Sequence, residues 1–247
     1  MQQSLLPEPN PRDNQLLAAL PQAEWERWEP YLEPVTLTLG QVLSESGRAA
    51  SYVYFPTSAI VSMVYMTLDG ASSEIAVVGH EGVVGIALFM GGNATPFQSV
   101  VQHAGQGYRL RAQAMKDEVD RAGAVLHMML RYTQTLMDQV AQTAACNRYH
   151  SIDQLLCRRL LLGLHRLPSD ALVMTQELLA NLLGVRREGV TAAALKLQHE
   201  GVIRYSRGRI DVLDRQKLAQ RSSECSANAA ATHWRAMPTQ LSMPMAA

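Results

Sequence analysis

Three residues at fixed intervals constrain this chain more than any other feature: Ala180, then Gly184 four positions on, then Val190 six further. Leu179, Leu183, Val185 and Ala193 are apolar around them. The spacing predicts a helix-turn-helix. Ala180 is small because a second helix must cross there, Gly184 supplies the positive φ of the turn, and Val190 fills the angle between the two helices. Thr175 stands where the first helix needs an N-cap. An ordinary helical hairpin makes no such demand at all seven positions together.

The segment from Ile203 to Val212 then alternates apolar and polar residues across Arg207-Gly208, which predicts a hairpin wing. Arg186, Arg187, Arg204, Arg207 and Arg209 fall at the start of the second helix and in the wing, where they can neutralise phosphates. With Glu188, Thr175 and Thr191 they form the set of candidate DNA contacts. Formal net charge is zero, but it is divided along the chain. Residues 1–146 hold 8 Lys/Arg against 14 Asp/Glu, and residues 147–217 hold 12 against 7. The basic part is the part that carries the motif.

Upstream the texture is different. Gln15 to Leu32 predicts two short helices broken at Pro21. From Val35 to about Arg111, short β-branched and aromatic runs recur between turn residues: Val35–Leu39, Tyr52–Phe55, Ile60–Met66, Glu74–Val78, Ser99–Gln102 and Tyr108–Leu110. Asp69-Gly70 predicts a hairpin between two of them. Strands this short imply a small antiparallel sandwich or barrel. From Ala112 the period becomes helical, and Leu126, Leu130, Thr133, Met137, Val140 and Ala144 follow one another at intervals of four and three. That heptad seam predicts a helix pairing with its twin in a homodimer; a helix packed on its own domain is the competing reading. His150 to Leu167 predicts another amphipathic helix, ended at Pro168-Ser169.

The fold class expected is therefore α+β, in five parts. These are a flexible leader (1–14), a small antiparallel β domain (15–120), a dimerisation helix (121–146), a winged helix-turn-helix (147–217) and a disordered tail (218–247). No apolar run reaches the roughly 18 residues that span a bilayer, and the first residues lack a signal peptide's basic start and apolar middle, so no membrane partner and a cytoplasmic location are expected. Cys146, Cys157 and Cys225 are odd in number without a C-x-x-C pair, which fits neither a disulfide framework nor a zinc ribbon. G-x-S-x-G, H-E-x-x-H, G-x-x-x-x-G-K and G-x-G-x-x-G are all missing, so no enzyme and no catalytic residue is expected. Gly79-His80-Glu81-Gly82 is the nearest imitation and reads as a polar turn between strands.

The order of these parts resembles the Crp/Fnr regulators of bacterial transcription over residues 15–217, most specifically in the run from Thr175 to Asp214. The resemblance implies that residues 15–120 are a cyclic-nucleotide-binding-like β-roll sensor domain, that double-stranded DNA with an inverted-repeat site is a partner, and that RNA polymerase is a further one. Arg187-Glu188 fall on the family's Arg-Glu pair that contacts base edges, whereas Ala192 replaces the family's next arginine.

The sensor half departs from the cyclic-AMP-binding members. The run Val84 to Ser99 stands at their phosphate cassette and contains neither Glu for the ribose nor Arg for the phosphate. A buried phosphate without a cation costs several kcal/mol. Val140-Ala141 replace hydroxyls that contact adenine. Cyclic nucleotide binding is therefore not expected, and neither cofactor nor metal is. The alternative keeps the architecture as a haem, redox or other small-ligand sensor. Three scattered cysteines cannot supply four thiolates for an iron-sulfur cluster, and the seven histidines show no paired ligand spacing.

Overall fold

A computed structural model describes residues 10–92, 94–167 and 169–222. The predicted leader up to residue 9, Pro168 and the predicted tail from residue 223 lie outside the described residues.

Two short helices open the described chain, α1 (Gln15–Ala18) and α2 (Gln22–Trp28), with Pro21 between them as predicted. Seven strands follow: β1 (Glu33–Leu37), β2 (Val42–Ser44), β3 (Tyr52–Pro56), β4 (Ile60–Met66), β5 (Ser72–Val78), β6 (Gln98–His103) and β7 (Gly105–Arg111). They form two antiparallel sheets, one in the order β1-β7-β3 and one in the order β2-β6-β4-β5. The β4–β5 hairpin turns at Asp69-Gly70, where Gly70 has φ +86°. The first strand starts and ends two residues before its predicted bounds, because Thr38 and Leu39 leave the sheet for a turn at Gly40. In that turn Gln41 Oε1 accepts from Thr38 N at 3.0 Å. The inner faces bury Leu37, Phe55, Met63, Val101 and Leu110 together with Trp28 and Leu16.

Two helices leave the roll, α3 (Ala112–Asp120) and the 26-residue α4 (Ala124–Tyr149). The long helix thus runs three residues past the predicted dimerisation segment. It packs on the roll through Val125, Met128, Met129, Tyr132 and Leu136. No helix among the described residues is long and apolar enough to cross a membrane.

The last part consists of α5 (Ile152–Leu164), β8 (Ala171–Val173), α6 (Gln176–Leu183), α7 (Arg187–His199), β9 (Ile203–Ser206), β10 (Arg209–Val212) and α8 (Arg215–Arg221). Ser151 and Gln154 start α5 with a reciprocal capping box. Every residue of α5 from Leu155 to Leu164 is buried, so it is a central helix where an amphipathic one was expected. The wing has three strands in the order β8-β10-β9, one more than the predicted hairpin.

Two predicted boundaries are corrected. Asn14, assigned to the flexible leader, is fully buried: its Nδ2 donates to Pro56 O and Gly82 O, both at 2.9 Å, while its Oδ1 caps Leu16 N and Leu17 N. It is a staple between the first helix and the roll. Residues 218–222, assigned to the tail, instead complete α8 and its exit. Leu218 is fully buried, and Arg221 pairs with Glu200.

Candidate nucleic-acid interface

The helix-turn-helix forms where its spacing predicts. Thr175 Oγ1 accepts from Leu178 N at 3.1 Å and so caps α6. Gly184 has φ +65°, and Val185 N returns to Ala180 O at 3.0 Å to close the helix end. Ala180 is 5% exposed and Val190 is fully buried, as the crossing of two helices requires. Gly189, a helix-weakening residue inside α7, has a packing cause: a Cβ there would stand 2.6 Å from Ile152 Cδ1. Helices α7 and α5 meet at that point, and Lys196 Nζ reaches Asp153 Oδ2 at 2.5 Å.

A groove of about 400 Å³ runs between α7 and the wing turn, with Thr175, Gln176, Arg187, Gln198, Tyr205 and Arg207 among its lining residues. Thr175, Arg187 and Arg207, predicted separately, are brought together here. Arg187 is the first residue of α7 and is exposed, with Glu188 exposed beside it. Arg186 is the exposed N-cap residue, outside the groove's lining. Thr191 is half-buried, with its hydroxyl 2.9 Å from Gln176 Oε1 and 3.0 Å from Arg187 O. It ties the two helices together.

In the wing, Arg204 is exposed on β9 and Arg207 occupies the turn. Arg209 is exposed but paired within its own strand, Nε to Asp211 Oδ1 at 2.8 Å, so its charge is partly neutralised. Arg207 has φ +50° and Gly208 φ +78°, a two-residue turn of the mirror-image kind that matches the strand twist. Three polar residues of the groove were not singled out as contacts in the sequence: Gln176, Gln198 and Tyr205. Gln198 Oε1 accepts from Tyr205 N at 2.5 Å, and the Tyr205 hydroxyl donates to Met174 O at 2.8 Å. Burial raises the Tyr205 phenol above its ordinary pKa. Their pairing joins α7 to the wing across separate elements, and periodicity within one element cannot show that.

Along α4 the predicted seam is uneven. Leu130 and Met137 are 53% and 60% exposed and Ala144 is exposed; Leu126 and Val140 are half-buried. Thr133 departs from the expectation. It is buried within the chain, its hydroxyl donating back to Met129 O at 2.9 Å, so it does not share the open face.

At the place of the phosphate cassette, a cavity of about 10 Å³ is bordered by Arg48, Gly85, Ile86, Ala87 and Phe97. That is room for about one water. Arg48, from the loop after β2, supplies a cation that the run from Val84 to Ser99 lacks. Cys146 and Cys157 are both buried, and burial pushes the Cys157 thiol up to about 12. Among the described residues no group of three or more His, Cys, Asp or Glu gathers as a metal site would require.

Residues 155–221 match the family model described as a Crp-like helix-turn-helix domain. No curated protein matches the chain in sequence. Among solved structures, a Crp/Fnr-family regulator from Eubacterium rectale is similar at a TM-score of 0.69 and 17% identity, over 85% of this chain and 98% of that one. FixK2 from Bradyrhizobium japonicum is similar at 0.65 and 14%, over 78% and 98%. The c-di-GMP-responsive global regulator CLP of Xanthomonas campestris is similar at 0.61 and 15%, over 78% and 99%. The chain has the architecture of the Crp/Fnr-type transcription regulators, with a Crp-like helix-turn-helix domain over residues 155–221.

Proposed function

We propose that the protein is a homodimeric, sequence-specific DNA-binding transcription regulator of the cytoplasm, without catalytic activity and without a cyclic nucleotide as effector. The observation that carries this reading is the groove lined both by Arg187, at the start of α7, the recognition helix in this reading, and by Arg207, at the turn of the wing. A guanidinium at the first turn of such a helix can grip O6 and N7 of a guanine, and Glu188 can accept from a cytosine amino group. Arg204, Arg207 and Arg186 lack a rigid frame for base edges and act on phosphates. Arg209 contributes less, being shared with Asp211.

Dimerisation is supported by Leu130 and Met137, two large apolar side chains on the face of α4 turned away from the buried stripe. Pairing of two copies would cover them. The small cavity at the cassette supports a sensor domain that does not take a nucleotide. The burial of Cys146 and Cys157 does not suit redox sensing, which needs an accessible thiolate. RNA polymerase is a further partner on the family resemblance alone.

Selection of bound duplexes from a random-sequence pool tests this reading. Enrichment of inverted repeats with half-sites about one helical turn, roughly 34 Å, apart is expected. Recovery of no common sequence would overturn it.

A further inference from the structure

Between the DNA-reading part and the β-roll lies a layer of charge that the proposed DNA contacts do not use. Ile60, Val64 and Val77 of the roll share one apolar core with α5 to α8, and three arginines of α5 and its exit enter that layer. Arg159 Nε stands 2.9 Å from Glu74 Oε1, with side chains 4% and 8% exposed, and Glu74 also accepts from Ser62 Oγ. Arg166 Nη2 and Nε both lie 2.7 Å from Glu81 Oε1, and Arg166 Nη2 donates to Val77 O at 3.3 Å. Arg158 Nη2 donates to Thr143 Oγ1 of α4 at 3.2 Å. Outside this layer, Ser72 Oγ of β5 donates to Asn181 O of α6 at 3.3 Å.

Apolar packing alone is not directional and tolerates sliding, whereas a buried ion pair is weak as a source of stability and strong as a device for register. Direction matters here because the covalent link from α4 to α5 is His150 and Ser151, both in extended backbone, which by itself leaves α5 free to swing. Arg159 and Arg166 are seven residues apart, roughly 10 Å along the helix direction. Asn181 is on another helix. Three attachments that do not lie on one line fix the orientation of a body.

We infer that Arg159–Glu74 and Arg166–Glu81 are positioning pairs: they hold the recognition helix at one place relative to the roll and α4, and thereby set the half-site spacing that the dimer accepts. This rests on the dimeric DNA-binding reading above. Neither pair touches DNA; each acts through the placement of α7.

The test uses the full chain on duplexes in which the selected half-sites stand at the selected spacing, or one or two base pairs nearer or farther. Wild type is expected to lose about tenfold or more in affinity over a two-base-pair change. Glu74→Gln, which leaves Arg159 without its charge partner, is expected to reduce that discrimination to about threefold or less, with single half-site binding and dimer mass unchanged. The double replacement Arg159→Met with Glu74→Leu keeps the layer filled and is expected to recover the thermal midpoint without recovering the spacing preference. Retention of tenfold discrimination by Glu74→Gln overturns the inference, as does its return in the double replacement. If Glu74→Gln does not fold, the double replacement decides alone: lost discrimination supports the pairs, kept discrimination overturns them. Wild type binding none of the duplexes, or all spacings alike, would instead sink the dimeric DNA-binding reading, and the inference with it.

Discussion

Arg166 lies directly against Gly79: a Cβ on Gly79 would stand 2.9 Å from Arg166 Cγ and Cδ, and 2.8 Å from Glu81 Oε2. The glycine is the space through which the arginine reaches the roll. Three residues on, Gly82 does the same for α4, since a Cβ there would meet the Tyr132 hydroxyl at 2.6 Å. That hydroxyl donates to Val83 O at 2.9 Å, and His80 O accepts from Gln15 N at 2.8 Å. The segment Gly79 to Gly82 is thus the point where α1, α4 and the exit of α5 converge.

Gly79→Ala should therefore destabilise the protein by about 1–3 kcal/mol, the range for overpacking a filled site. Gly123→Ala, where a Cβ meets nothing within 4 Å, should stay within about 0.5 kcal/mol. Urea unfolding of both variants checks this, and equal destabilisation would contradict the account.

Arg207 occupies a left-handed conformation that suits Asn or Gly better. Arg207→Asn should raise stability by a few tenths of a kcal/mol, roughly up to 1, while weakening binding to every duplex alike. A variant with unaltered DNA affinity would show that the arginine has no role at the phosphates.

Leu130→Asp with Met137→Asp places two carboxylates on the exposed face of α4 and leaves its buried stripe intact. Monomers of unchanged helix content are expected, read by light scattering and circular dichroism. A dimer of unchanged mass would remove α4 as the interface.

Burial lowers the pKa of His103 and of His165, the latter helped by Arg166 and Arg215. Each ring is thus favoured in its neutral form by folding, and the unfolded chain binds more protons as pH falls through about 6.5. Stability should accordingly decline between about pH 7.5 and 5.5, and His103→Gln with His165→Gln should flatten that slope. An unchanged slope in chemical unfolding at the two pH values would refute the assignment.

The helix-turn-helix was legible because a crossing of two helices makes local demands: a small residue, a positive φ and an apolar plug, all within one short run. The β4–β5 hairpin was legible for the same reason, through Asp69-Gly70. Strand β8 was not, since three residues carry little pattern and its partner β10 lies some forty residues on. Arg159 and Arg166 lie in a segment whose pattern predicts only an amphipathic helix; their partners Glu74 and Glu81 come from a distant strand and turn, which the pattern of that segment does not carry. Thr133 fitted the seam by spacing, and its burial is set by how α4 lies on the roll.

Binding of Arg187→Ala and Arg207→Ala to a series of single-base variants of the selected site, at two salt concentrations, tests the central claim most directly. Arg187→Ala should lose about 1–3 kcal/mol per half-site and relax preference at one base pair, and Arg207→Ala should weaken all variants alike with a shallower salt dependence. The base pair facing Ala192, whose methyl offers no hydrogen bond, should be read weakly by both proteins. Equal loss on every sequence for Arg187→Ala would contradict the account, because Arg187 would then be a phosphate contact and the recognition helix would read no base through it.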